Sequence, residues 1–237
     1  MPVTIEQELD GQDLKRALVT AKAQLERHID EVNSLNVFPV PDGDTGTNMF
    51  MTMASAVKAI EETEDTSVAI VSASAAKGAL MGARGNSGVI LSQILRGMAD
   101  SMKEKETLSS RDLAQALRAA SEKAYKTVSE PVEGTILTAI RAASEAASAA
   151  ASKGASFSRT VASVVSRVRT TVKKTPDMLP VLKEAGVVDA GAKGLYYFFK
   201  GMENAICRKE PARPRPQKTA HARRNDSLSA MKETLLP

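Results

Sequence analysis

The sequence predicts an all-α fold, an antiparallel barrel or bundle of about eight amphipathic helices, on three observations. Apolar residues recur at spacings of three and four over long stretches. Aromatic residues make up only 3% of the chain while Ala and Ser abound, so strand-forming runs are almost absent. Gly, Pro or a Ser/Asp cap punctuates the apolar runs at helix-length intervals.

In chain order, the first helix is expected from Asp13 to Ser34, with Leu14, Leu18, Ala21, Leu25, Ile29 and Val32 as its apolar stripe. It ends before the Pro39/Pro41 loop, because the residue before a proline is disfavoured in a helix. A second begins near Thr47 and carries Met49, Met53, Val57 and Ile60. Further helices are expected at Ser67–Met81, Ser87–Lys103, Ser109–Val128, Thr135–Ser152, Phe157–Thr171 and Ala190–Ile206. The run AASEAASAAASKG (142–154) is rich enough in Ala and Ser to allow close helix packing, and Gly154 is a suitable stop.

Residues 1–207 are read as one helical domain and 208–237 as a basic, Pro-containing disordered tail or linker with too few apolar residues to bury. That tail holds eight Lys/Arg against three Asp/Glu, a net +5, so the chain's +4 leaves the body at about −1. The basic pI therefore does not argue for nucleic-acid binding, and the tail lacks interleaved aromatics. No apolar run approaches a membrane span, and the start MPVTIEQELDGQDL lacks signal-peptide order, so a cytoplasmic location is expected. With one cysteine and two histidines, a disulfide framework is excluded and a zinc site disfavoured, which leaves oxygen ligands for any metal.

The segment NVFPVPDGDTGTNM (36–49) sets Asp42 and Asp44 on either side of Gly43, directly before a helix. Two carboxylates so spaced can converge on a hard cation if the loop bends, and Gly43 and Gly46 permit the bend. The spacing is not that of an EF-hand, because Thr47 stands where Gly is needed and Met53 replaces the closing Glu. DGDT also matches an aspartyl-phosphate pattern, but that nucleophile belongs at the tip of a buried strand. Two readings stand: Mg²⁺ held between carboxylates and a phosphate, with the next helix offering its N-terminal N–H groups, or a plain interhelical loop with solvated Asp.

GALMGARGNSGVILSQILRG brackets Asn86 and Ser87 with Gly85 and Gly88 ahead of an amphipathic helix. It is neither a Walker A loop nor GxGxxG, yet a Gly-rich turn, a hydroxyl and a helix N-terminus can bind an anion; a C-cap glycine followed by an N-cap is the alternative. PVEGTILTAIR (131–141) and VVDAGAKGL (187–195) repeat the loop-then-helix arrangement, with Thr135 near one helix start and Asp189 at an N-cap. His28 reads as a surface or core histidine, and His221 lies in the tail.

These four motifs, in this order, resemble the nucleotide-binding domain of bacterial fatty acid kinases, which is similar to the ATP-binding L subunit of dihydroxyacetone kinases. The resemblance covers residues 10 to 206. It implies an eight-helix antiparallel barrel with ATP at one end and Mg²⁺ bridging the phosphates. By resemblance, Asp42 and Asp44 are metal ligands, with Asn36 near the place of a third, which in the dihydroxyacetone kinase branch is an Asp. Thr45, Thr47, Asn48, Gly85, Asn86, Ser87, Gly88, Thr135, Leu137 and Asp189 match nucleotide-proximal positions. No catalytic residue is assigned.

The function this implies is the phosphoryl-donor half of a kinase whose acceptor is a fatty acid presented by a carrier protein. Other readings are a nonenzymatic nucleotide-sensing module and a dihydroxyacetone-type small-molecule kinase subunit. The implied partners are nucleotide, a fatty-acid-carrying protein or further kinase domains, and a second copy as a homodimer, with no nucleic acid and no membrane span.

Overall fold

A computed structural model of the chain describes residues 8–64 and 67–207. Among the described residues ten α-helices are formed: α1 (Gly11–Glu26), α2 (Ile29–Ser34), α3 (Thr45–Glu61), α4 (Val68–Gly82), α5 (Gly85–Ser101), α6 (Ser110–Thr127), α7 (Ile136–Ser152), α8 (Phe157–Lys174), α9 (Pro180–Ala185) and α10 (Ala190–Cys207). Among the described residues there is no strand, only an isolated antiparallel bridge in which the Leu9 and Leu108 backbones exchange hydrogen bonds of 3.0 and 2.8 Å. The expected tail, 208–237, lies outside the described residues.

Eight of the helices close a ring in which each packs on the next: α1, α3, α4, α5, α6, α7, α8, α10 and back to α1. The connections from α3 through α8 are short, α2 and α9 lie in the two longer ones, and successive staves run antiparallel. The N-termini of α3, α5, α7 and α10 therefore meet at one end with the C-termini of α1, α4, α6 and α8. Leu18, Leu25, Met49, Met53, Ile60, Leu91, Ile94, Leu117, Ile140 and Phe198 fill the interior. The Ala- and Ser-rich α7 is one of the packed staves, with Ala139, Ala143 and Ala147 fully buried.

Two elements depart from expectation. The first helix breaks at Arg27 and His28, and α2 turns away to lie against α3 and α10. Its apolar stripe runs through the break, which hides it. The turn is fixed by contacts distant in sequence: the His28 ring stacks on Tyr197, with centroids 3.7 Å apart, and Glu31 accepts from the Tyr197 hydroxyl at 2.6 Å and pairs with Lys193 at 2.9 Å. Between α8 and α10 the chain also forms a 3₁₀ turn (Thr175–Asp177) and then α9, which starts at Pro180 and stops at Gly186 with φ +68°.

The ends of the barrel are finished differently. At the end away from the motifs, α1, α4, α6 and α8 each carry an N-cap side chain that accepts from a backbone N–H in the first turn: Asp10, Ser67, Ser109 and Ser156. At the motif end α7 and α10 are capped by Thr135 and Asp189, but Asp44 before α3 and Arg84 before α5 form no side-chain cap.

Candidate functional site

The four motifs meet at the end of the barrel. A cavity of about 370 Å³ is lined by Thr45 of α3, Asn86 and Ser87 of α5, Thr135 and Leu137 at the start of α7, and Asp189 before α10. The Ser87 hydroxyl donates to Thr45 Oγ1 at 3.3 Å, which joins the aspartate loop to the glycine loop across 42 residues of sequence. Phe38, Val89, Ile90, Val128, Val132 and Ile136 supply apolar walls, so the space is amphipathic and large enough for much of a nucleoside.

The aspartate loop is held from α2. Asn33 Oδ1 accepts from the N–H groups of Gly46 at 2.8 Å and Thr47 at 3.1 Å, while its Nδ2 donates to Thr47 Oγ1 at 3.0 Å. Asn33 is therefore the cap of α3, supplied by another helix. This corrects the expectation that α3 offers those N–H groups to a phosphate, since they already have an acceptor. It also leaves the Asp44 carboxylate, at the N-cap position itself, unused for capping. The fit is close: a Cβ on Gly46 would lie 2.5 Å from the Ile29 carbonyl oxygen.

Asn36 is buried, and its Nδ2 donates to the Val40 carbonyl at 3.2 Å and to Asp42 Oδ1 at 2.5 Å. It orients the exposed Asp42 carboxylate toward the loop. No group of three or more His, Cys, Asp or Glu side chains is placed to hold a metal among the described residues. Two carboxylates alone do not make a protein cage. They do suit Mg²⁺, which commonly takes one or two carboxylates and completes its shell with phosphate oxygens and water.

α5 is the open helix start. Gly85 has φ +56°, and any Cβ there would run into the Asn48 amide. A Cβ on Gly88 would stand 2.5 Å from Thr52 Oγ1 and 3.3 Å from the Asn48 carbonyl oxygen. The two glycines thus let the first turn of α5 seat against Asn48 and Thr52 of α3. Arg84 supplies no cap, and Asn86 and Ser87 of this turn line the cavity, so the positive end of the helix dipole lies at its edge.

Asp189 is buried, and its carboxylate accepts from Ala192 N–H at 2.6 Å and from Ile136 N–H, tying the starts of α10 and α7 together. Burial pushes it up to about 7 against the pull of those two hydrogen bonds. Its own N–H donates to Thr175 Oγ1 at 3.0 Å, so the 3₁₀ turn is tied in as well. Asp189 lines the cavity and also holds its wall together.

A further network, built from Glu133, Thr138 and Arg141 of the PVEGTILTAIR motif with Tyr125 of α6, fixes the loop before α7. Glu133 receives both terminal nitrogens of Arg141, at 2.6 and 2.7 Å, the Tyr125 hydroxyl at 2.9 Å and the Thr138 hydroxyl at 2.5 Å. Burial tends to raise the Glu133 pKa, but the hydrogen bonds from Thr138, Arg141 and Tyr125 outweigh it and hold the carboxyl below its usual range. Burial, reinforced by Glu133, pushes the Tyr125 hydroxyl up to about 12.

Of the predicted residues, Thr45, Asn86, Ser87, Thr135, Leu137 and Asp189 line one cavity, while Asn48, Gly85 and Gly88 form the α3–α5 seam behind it. Thr47 is exposed and engaged with Asn33, and Asn36, Asp42 and Asp44 form the adjoining loop. Asn33 had no sequence signal, because a cap borrowed from another helix follows no local pattern.

A family profile described as DAK2 domain matches residues 39–204. The chain belongs to the DAK2-domain family. An uncharacterized protein of Staphylococcus saprophyticus is 42% identical over 198 residues, covering 84% of this chain and 36% of that protein. Protein YloV of Bacillus subtilis is 39% identical over 193 residues, or 81% and 35% respectively. The chain thus spans little more than a third of the relatives it matches. The dihydroxyacetone kinase of C. freundii, in a crystal structure with AMP-PNP and Mg²⁺, superposes with a TM-score of 0.62 at 16% identity, covering 86% of this chain and 36% of that one. Its native form gives 0.59 at 14% identity. The all-α DAK2 fold is thereby shared with a kinase. No helix among the described residues is long and apolar enough to cross a membrane.

Proposed function

We propose that this DAK2 domain binds Mg·ATP at the motif end of the barrel and serves as the phosphoryl-donor part of a kinase. The observation that carries this is the joining of the two carboxylates' loop to the uncapped start of α5, through Thr45 and Ser87, around one amphipathic cavity. The base and ribose occupy the apolar space, and the phosphates lie toward the first turn of α5. Asp42 and Asp44 hold Mg²⁺, which draws charge from the phosphoryl group when bound. Asn36 and Asn33 keep their loop in place. The metal and nucleotide reported with C. freundii dihydroxyacetone kinase support the choice of ligand.

Among the described residues, neither Lys nor Arg lines the cavity. Charge neutralisation therefore falls to the metal and the backbone amides, and nothing here aims an acceptor carboxylate in line with the phosphorus. This favours an acceptor presented by another domain or protein, and we read that acceptor as a fatty acid on a carrier, in keeping with the motif resemblance. Transfer to a small hydroxyketone is the competing reading.

Calorimetric titration with AMP-PNP, with and without Mg²⁺, tests the donor site: saturable binding that needs the metal is expected, and no binding in either condition refutes it. Incubation with labelled ATP and either a fatty acid with its carrier or dihydroxyacetone then identifies the acceptor.

A further inference from the structure

Away from the cavity, α8 turns a purely cationic face outward. Its eighteen residues include Arg159, Arg167, Arg169, Lys173 and Lys174, all exposed, and no Asp or Glu. Lys153, at the end of α7, adds another exposed cation where α7 and α8 form an open groove that Arg159 and Arg167 also line. Elsewhere about half of the described basic side chains are ion-paired, among them Arg96, Lys103 and Lys123 with Asp100, Lys105 with Asp112, and Arg141 with Glu133, whereas on α8 none is. No carboxylate lies within ion-pair distance of any α8 cation or of Lys153 among the described residues. The nearby Glu145 of α7 is engaged with Arg141 at 3.9 Å.

We propose that this α8 face docks the protein on an anionic bilayer surface, with lipid phosphates as the counter-charges. Arg159, Arg167 and Lys174 fall on one side of the helix, eight and seven residues apart along a line with Ser163 and Thr170. At about 1.5 Å per residue that line is roughly 22 Å long, a match for a row of headgroups. A protein partner would need large apolar or aromatic anchors. None of the exposed large hydrophobics lies on α7 or α8, and the groove between the cations is floored by Ala, Ser and Thr. A charged surface requires no anchor, only summed charge. The choice of a bilayer over a nucleic acid rests on the proposed function, since an acid with a long acyl chain partitions into bilayers.

Co-sedimentation of the full chain with vesicles of phosphatidylcholine containing 30 mol% phosphatidylglycerol, without nucleotide, tests this independently of the kinase reading. Binding is expected that is absent on pure phosphatidylcholine and falls steeply with salt. Each basic group near such a surface contributes roughly fivefold, so the triple variant Arg159→Glu, Arg167→Glu, Lys174→Glu should lose more than tenfold. A second charge-reversal variant, in the basic C-terminal segment, Arg223→Glu with Arg224→Glu, should retain most of the binding. Unchanged melting of the α8 variant shows that the fold survives. The proposal is overturned by no binding to anionic vesicles, by an α8 variant that binds like the parent, by loss only in the Arg223/Arg224 variant, or by tighter binding to duplex DNA or RNA at the same salt.

Discussion

Replacing Asn33 with Ala removes the link between α2 and the metal loop. Three hydrogen bonds are lost: two from the first-turn N–H groups of α3 and one to the Thr47 hydroxyl. Loss of a capping side chain costs about 0.5–2 kcal/mol, and the partly exposed amide–hydroxyl bond adds roughly 0.5–1 kcal/mol. A total near 2 kcal/mol lowers the melting temperature of a domain this size by about 4–8 °C. The uncapped α3 then competes for the carboxylate of Asp44, its own N-cap residue. Mg²⁺-dependent affinity for AMP-PNP should fall about tenfold, while any binding without metal changes little. Asn33→Asp keeps an acceptor for both N–H groups and complements the helix dipole, so it should recover most of the stability. Hydrogen exchange at Gly46 and Thr47 reads the cap directly and should accelerate at least tenfold in the Ala variant. Unchanged exchange at those two amides would refute the capping role, whatever the nucleotide does.

Asp42→Asn and Asp44→Asn should each weaken Mg²⁺-dependent binding by on the order of 2 kcal/mol without changing helicity, checked by calorimetry and circular dichroism. Gly88→Ala drives a methyl group toward the Thr52 hydroxyl at the α3–α5 seam, so thermal unfolding should show a loss of about 1–3 kcal/mol despite the better helix propensity. Asp189 titrates at about 7 in the folded protein against 3.8 ordinarily, so between those values the native state holds a proton that the unfolded chain has released. Stability from this group is full below pH 4 and is lost as pH rises through about 7; melting curves from pH 4 to 8 should show that slope in the parent and a flatter one in Asp189→Asn.

The ring of eight staves was legible because each carries its own apolar period and its own punctuation, as Ser109 and Ser156 show for α6 and α8. The break at His28 was not, because Leu25, Ile29 and Val32 keep helical spacing across it and the forces that bend the chain come from Tyr197 and Lys193, more than 160 residues away. α9 had local marks in Pro180 and Gly186, but six residues are too few to show a period. At the site, residue types and loop positions could be read from the motifs. Which N–H groups stay free could not, since Asn33 serves α3 and Asp189 serves both α7 and α10.

The alternation of helix directions gives a ligand at the motif end an unusual mechanical reach. α3, α5, α7 and α10 are every other stave of the ring. Residues of all four line the cavity, so a single molecule held there would tie alternate staves together. A ligand there would bear directly on those four helices, and on the staves between them only through their neighbours. At the opposite rim, Asp10, Ser67, Ser109 and Ser156 already engage first-turn N–H groups of their own helices, so the two rims meet a ligand on unequal terms.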